Sequence, residues 1–264
     1  LEVTAMPLLE NPVFAAELPQ EPAQVRALFA VSQLLERNCI RLYARSQTCI
    51  TAGVHATAET FLQELQEGDC PQVVAVDVLL PETTFQTILQ SVQKLPCSLS
   101  PKILLLTPFP ETAAARGALH RLDRYARLVR PYSMQTLFDT VYALGADERS
   151  THIYHIQRLC DAALQSLKAD PALTGTLYLK RILLCALLYE QELPLSRLYQ
   201  IAGEERGIDE KAVTAALSRL SGVLYRRHTA EYVALCQRCG CTSQTPLSNG
   251  RLIRALIEEL RTYL

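Results

Sequence analysis

The chain has 264 residues, 49% of them hydrophobic and 20% charged, with a formal net charge of −1, which excludes a disordered chain and suits two domains of ordinary size. No apolar run approaches the about 20 residues of a membrane helix, and no basic segment with an apolar stretch behind it opens the chain, so neither a membrane span nor a secretory signal is expected. The nine cysteines are odd in number and scattered, which reads as free thiols in a reducing compartment and places the chain in the cytoplasm.

In chain order, the first candidate strands are 1–6 and 40–48, with an amphipathic helical pattern over 25–37 between them. A second helical pattern covers 58–67. Val73-Val74-Ala75-Val76-Asp77-Val78-Leu79-Leu80 is an apolar run bounded by Pro71 and Pro81. The run 103–107 is bounded by Pro101 and Pro108, and a short one at 127–129 precedes Arg130-Pro131. Such runs suit strands buried on both faces of a parallel sheet. Amphipathic segments at 85–94, 111–122 and 134–144 alternate with them. The alternation predicts an α/β fold with a parallel sheet and right-handed crossovers. Asp77 then ends a central strand, in the crevice where such sheets bind ligands.

Gly145-Ala146-Asp147-Glu148-Arg149-Ser150 is a polar break, and it divides the chain into an α/β domain over 1–147 and an all-helical domain over 151–264. Residues 1–150 hold 12 Lys+Arg against 16 Asp+Glu, whereas 151–264 hold 14 against 11. A modestly basic second half points toward nucleic acid. Its breaks fall near Pro171, Pro194, Gly207, Gly240 and Pro246.

The stretch from Pro194 has the pattern of a helix-turn-helix. A first helix over 196–205 turns Leu198, Ile201 and Ala202 inward. Gly207 suits the left-handed position that ends it, and Asp209 caps the next helix. Ala212, Val213, Ala216, Leu217 and Leu220 form the expected buried face. Lys211, Thr214 and Ser218 are left to face a major groove, with Arg219, Arg226 and Arg227 placed for phosphates.

Cys236-x-x-Cys239-x-Cys241 is the sharpest metal-like spacing, but a second spaced ligand pair is absent, so a helix end with idle thiols is expected rather than zinc. His152 and His155 read as surface or packing histidines. There is no Gly-rich phosphate loop and no nucleophile elbow, so no enzyme is expected.

The first domain resembles the receiver domain of two-component response regulators. The residues that carry the resemblance are the apolar strand ending in Asp77 with Pro81 four residues on, Thr107 at the end of the next strand, and Arg130-Pro131-Tyr132-Ser133-Met134 before the last helix. The resemblance implies Asp77 as phosphoacceptor, Thr107 as the hydroxyl that follows the phosphate, Arg130 in the place of a lysine, and an acid pair after the first strand that helps hold Mg²⁺. With 1–6 as that strand, the chain offers Met6-Pro7-Leu8-Leu9 and then Glu10. A carboxylate attacking a phosphoryl group needs a hard cation and a compact positive charge beside it, and the planar fork of Arg is not that charge. The expectation is therefore a pseudo-receiver with no cofactor, in which Asp77 is not phosphorylated.

The second domain resembles the DNA-binding domain of the sporulation master regulator family, that of stage-zero sporulation protein A. The carriers are Leu173-Thr174-Gly175-Thr176-Leu177-Tyr178-Leu179, Leu198-Tyr199, Ile201-Ala202, Val213, Ala216-Leu217, Pro246, Asn249, Leu252-Ile253 and Glu259-Leu260-Arg261. The resemblance implies an all-helical fold on double-stranded DNA, a homodimer, and a histidine kinase or phosphotransfer protein upstream. The dimer face is expected over 127–144, with Tyr132, Met134, Leu137, Phe138 and Tyr142. Ala212 and Ala215 stand where the family carries base-reading side chains, so phosphate contacts should dominate. The alternative is a protein-interaction module that acts on a kinase or on a genuine regulator.

Overall fold

The computed structural model describes residues 22–80, 85–95, 101–108, 125–189, 193–204, 206–241 and 245–264. The chain divides into two compact units, with the division between His152 and Ile153.

In the first unit, strands β1 (Val25–Ala30), β2 (Ile50–His55), β3 (Val73–Asp77), β4 (Lys102–Thr107) and β5 (Tyr125–Val129) form one sheet. Its order is β2-β1-β3-β4-β5, and every pairing is parallel. This is the doubly wound, flavodoxin-like order, with its ligand crevice at the strand ends between β1 and β3. Helices α1 (Leu34–Arg45), α2 (Ala58–Glu67) and α3 (Phe85–Gln93) follow the first three strands, and α4 (Met134–Gly145) follows β5. One face of the sheet buries Leu28, Val74, Val76 and Leu105 with Phe61, Leu65, Ile88 and Val92 of α2 and α3. On α4 and α1, Phe138 stacks on Phe29 at 5.8 Å and meets Tyr43 at 4.9 Å. The whole of β3 is buried because both its faces are covered.

The structure corrects the early elements. Residues 25–37 are not one helix: 25–30 form β1, and α1 begins at Leu34. A short apolar run is periodically ambiguous, and pairing with β2 and β3 on both sides decides for strand. Residues 40–45 lie in α1, so the strand expected at 40–48 is displaced to Ile50–His55. Ile40 is buried while Leu42 is exposed, which fits helix rather than two-residue alternation. The strand expected at 1–6, Glu10, and the helix expected at 111–122 lie outside the described residues. The expected apolar dimer face is also corrected, because Leu137, Phe138 and Tyr142 are fully buried in this unit's own core.

The second unit is helical throughout its described residues. Helix α5 (Glu148–Ser166) crosses the division; α6 (Thr174–Leu188), α7 (Leu195–Glu204), α8 (Glu210–Arg227), α9 (Ala230–Arg238) and α10 (Asn249–Arg261) follow. They enclose one core of Leu179, Ile182, Leu198, Val213, Leu217, Leu220, Tyr232 and Leu256, among others. Gly175 lets α6 approach α8: a Cβ there would stand 2.5 Å from the Ala216 carbonyl oxygen. Between α7 and α8, Gly207 takes φ +62°, a conformation that side chains with a Cβ rarely adopt. Asp209 then caps α8, its carboxylate accepting from Ala212 N–H at 2.8 Å. No helix among the described residues is long and apolar enough to cross a membrane.

Candidate functional site

Asp77 ends β3, is 2% exposed, and lies in the crevice between β1 and β3. Its carboxylate accepts four hydrogen bonds. Ser32 donates to Oδ2 from Oγ at 2.8 Å and from its backbone N–H at 3.5 Å. Leu79 N–H donates to Oδ1 at 3.0 Å, and Arg130 Nη1 donates to the same oxygen at 3.2 Å. Burial pushes the Asp77 carboxyl up. The bonds from Leu79, Ser32 and Arg130, with the Arg130 charge, outweigh burial and hold it below its ordinary value.

Arg130 is shared. It gives a two-pronged contact to Glu36 of α1, Nη2 to Oε2 at 2.9 Å and Nε to Oε1 at 3.3 Å. The Tyr132 hydroxyl also donates to Glu36 Oε1. Burial opposes the Arg130 charge, yet Glu36 and Asp77 more than offset it and raise its proton affinity. Burial, then the bond to Glu36 and the Glu36 charge, push the Tyr132 phenol far above its usual range. A second guanidinium holds the loop after β1: Arg37 Nη1 donates to the carbonyl oxygens of Val31 at 3.0 Å and Ser32 at 2.5 Å.

This arrangement answers whether a divalent cation of the receiver kind fits. With β1 at Val25–Ala30, the positions after the first strand are Val31 and Ser32, not Met6-Pro7. Neither supplies a carboxylate. Among the described residues, the carboxylates at the site, Asp77 and Glu36, are drawn onto Arg130, and the adjacent loop carbonyls are taken by Arg37. A hard cation needs about six oxygen ligands, and here Asp77 Oδ1, Glu36 and the loop carbonyls already face guanidinium groups while Asp77 Oδ2 accepts from Ser32. The described residues do not fit Mg²⁺. Thr107 is buried at the end of β4, and its carbonyl oxygen accepts from Arg130 N–H at 2.8 Å. Of the site residues read from the sequence, Asp77, Thr107 and Arg130 therefore meet. Ser32, Glu36 and Arg37 belong with them and were hidden by the misplaced first strand.

In the second unit, α8 buries Val213, Ala216, Leu217, Leu220, Ser221 and Leu224. Ala212, expected in that face, is exposed instead. At about 100° per residue, Lys211, Ala215, Ser218, Arg219, Gly222 and Arg226 share the outward stripe. Arg227 lies round the helix from Arg226, near its last turn. Thr214 and Ser218 are less free than their spacing implies. Asn249 Nδ2 donates to the Thr214 carbonyl at 3.0 Å and to Ser218 Oγ at 3.1 Å, and Ser218 Oγ lies 3.0 Å from the Thr214 carbonyl oxygen. Lys211 and Arg226 are 15 residues apart, so about 22 Å of helix separates them.

Among the described residues no cluster of His, Cys, Asp and Glu could hold a metal ion. His152 and His155 are both exposed on α5.

No protein-family model matches the chain, and no curated protein matches it. Solved structures do. The chain is similar to the chemotaxis response regulator CheY4 of Vibrio cholerae, at 17% identity over 46% of this chain and 99% of that one, with a TM-score of 0.41. It is similar to a DNA-binding response regulator of the LuxR family from Staphylococcus aureus, at 19% identity over 46% and 98%, TM-score 0.38. Full-length FixJ from B. japonicum aligns at 14% identity over 83% of this chain and 98% of that one, TM-score 0.39. The flavodoxin-like assignment rests on the strand order and registers of this chain's own sheet.

Proposed function

We propose that this chain is a two-domain cytoplasmic regulator of the response-regulator type, of the sporulation-initiation kind. In this reading it is a homodimer, works without phosphorylation, and binds double-stranded DNA through its helical unit. The observation that supports DNA most is the outward stripe of α8. Lys211, Arg219 and Arg226 alternate there with Ala215, Ser218 and Gly222, and no carboxylate interrupts them. Small side chains let the helix approach a duplex, and the arginines meet phosphates. The start of α8, with Lys211, would enter the major groove, while Arg219 and Arg226 lie farther along the backbone.

In the first unit, Arg130 bonded to Asp77 and Glu36 supports a receiver held in one state. A phosphoryl group on Asp77 would have to displace Ser32 and Arg130 from the carboxylate.

The same α8 stripe also favours a second reading. Ser218 is engaged by Asn249, and no Asn, Gln or Arg stands in the first two turns of α8 to pair two-pronged with a base. A protein partner would then replace DNA. Titration of the full chain onto duplexes over a salt series separates the two. DNA binding predicts a steep fall of affinity with salt, nearly equal on all sequences. Arg219→Ala or Arg226→Ala should each flatten the log–log slope by about one unit. No duplex binding at low salt would sink the DNA reading and leave the partner module. Light scattering at micromolar concentration tests the dimer, and a monomer there overturns it.

A further inference from the structure

Helix α9 ends in three cysteines that the regulator reading does not use. Cys239 is its C-cap, and Gly240 follows at φ +62°. Gly240 N–H donates to the Gln237 carbonyl and Cys241 N–H to the Cys236 carbonyl, both at 3.0 Å. This pair of bonds is the Schellman motif, which brings the side chains at its first and last positions together. Here both are cysteines, Cys236 and Cys241. A 3.0 Å N···O bond holds their Cα atoms within roughly 7 Å, close to the span of about 4.4–6.8 Å that a disulfide bridges.

The two thiols sit in different surroundings. Cys236 is fully buried against the Tyr232 hydroxyl, whereas Cys241 is partly exposed. Arg251 of α10 donates from Nη1 to Cys241 Sγ at 3.1 Å. Cys239 lies near both thiols, with its Sγ 4.0 Å from the Arg251 carbonyl oxygen. Burial pushes the thiols of Cys236 and Cys239 up, which makes both poor first attackers.

We propose that Cys241 and Cys236 are a peroxide-sensitive dithiol that closes into a disulfide across the C-terminal cap of α9. Cys241 is the attacking sulfur and Cys236 the resolving one. The Cys241 thiolate attacks one oxygen of hydrogen peroxide, the O–O bond breaks, and the departing hydroxide takes up a proton as water. The sulfenic acid left on Cys241 is then attacked by the Cys236 sulfur, the S–O bond breaks, and a second water leaves. Two thiols are oxidised and one peroxide is reduced to two waters. Free dithiols that close only under oxidant are the kind a reducing compartment allows.

Tryptic mapping of the full chain tests this. Cleavage after Arg238 separates Cys236 from the other two. A Cys236–Cys241 bond therefore joins peptides 228–238 and 239–251, while a Cys239–Cys241 bond stays inside the second peptide. After stoichiometric peroxide and alkylation of the remaining thiols, the expected product is the joined pair. It should weigh about 2 Da less than its two peptides, be reversed by dithiothreitol, persist in Cys239→Ser and be absent in Cys241→Ser. The idea fails if no joined pair forms in the wild-type chain, if the bond lies within 239–251, or if Cys241→Ser still joins the two peptides. The wild-type map decides even if a serine variant folds poorly.

Discussion

A buried carboxylate persists only where donors replace its lost water, and Asp77 has four of them. Arg130 pairs with both Asp77 and Glu36, whose side chains are 1% and 11% exposed. Arg130→Met would leave two largely buried carboxylates without their ion-pair partner. It should cost about 3–5 kcal/mol in urea unfolding, against about 1–3 kcal/mol for Ser32→Ala. The acid response follows from the same contacts. Asp77 titrates below its unfolded value of about 3.9, so its contribution is complete above that pH and is lost as pH falls through the folded value. Near-UV circular dichroism from pH 7 to pH 2 should show the wild type losing more stability on acidification than Asp77→Asn. The chemistry is tested by mass. Acetyl phosphate with Mg²⁺ should add no phosphoryl group, and a stoichiometric gain lost in Asp77→Asn would overturn the locked-receiver reading.

At the scale of elements, the packing of α6 on α8 makes a sharp test. Gly175→Ala would drive a Cβ to 2.5 Å from the Ala216 carbonyl oxygen, a backbone atom that yields only if the helices separate. A loss of about 1–3 kcal/mol is expected. Gly222→Ala, on the outward side of the same helix, meets only the end of Arg226 at 3.7 Å. It should stabilise by about 0.5–1 kcal/mol, because alanine favours helix. Urea midpoints of the two variants should therefore move in opposite directions. The turn before α8 was legible in the sequence, since Gly207 and Asp209 act through their own backbone. The identity of β1 was not, because 25–30 reads equally as strand or helix until β2 and β3 flank it.

At the scale of the whole molecule, the described residues divide into two compact units, one with its apolar packing on the faces of the sheet and the other with a core among helices. Unfolding should not follow a single two-state curve. Arg130→Met is expected to lower one transition and Gly175→Ala the other, with near-additive effects in the double variant. Calorimetry of the full chain checks this, and a single transition moved by both changes would contradict it.

By itself the sequence determined what depends on local chemistry. The apolar runs at 73–80 and 103–107, set between proline-marked breaks, read as buried strands, and β3 and β4 form there. Asp77 was expected at a strand end, and Gly207 with Asp209 between two helices, and both stand there. Tertiary structure alone decided the contacts between distant residues. Ser32 meets Asp77 across 45 positions and Glu36 meets Arg130 across 94. Helical or strand periodicity extends over a few residues and says nothing about partners so far away. An ion pair is specified by where the chain returns in space, and that depends on the order in which the strands join the sheet.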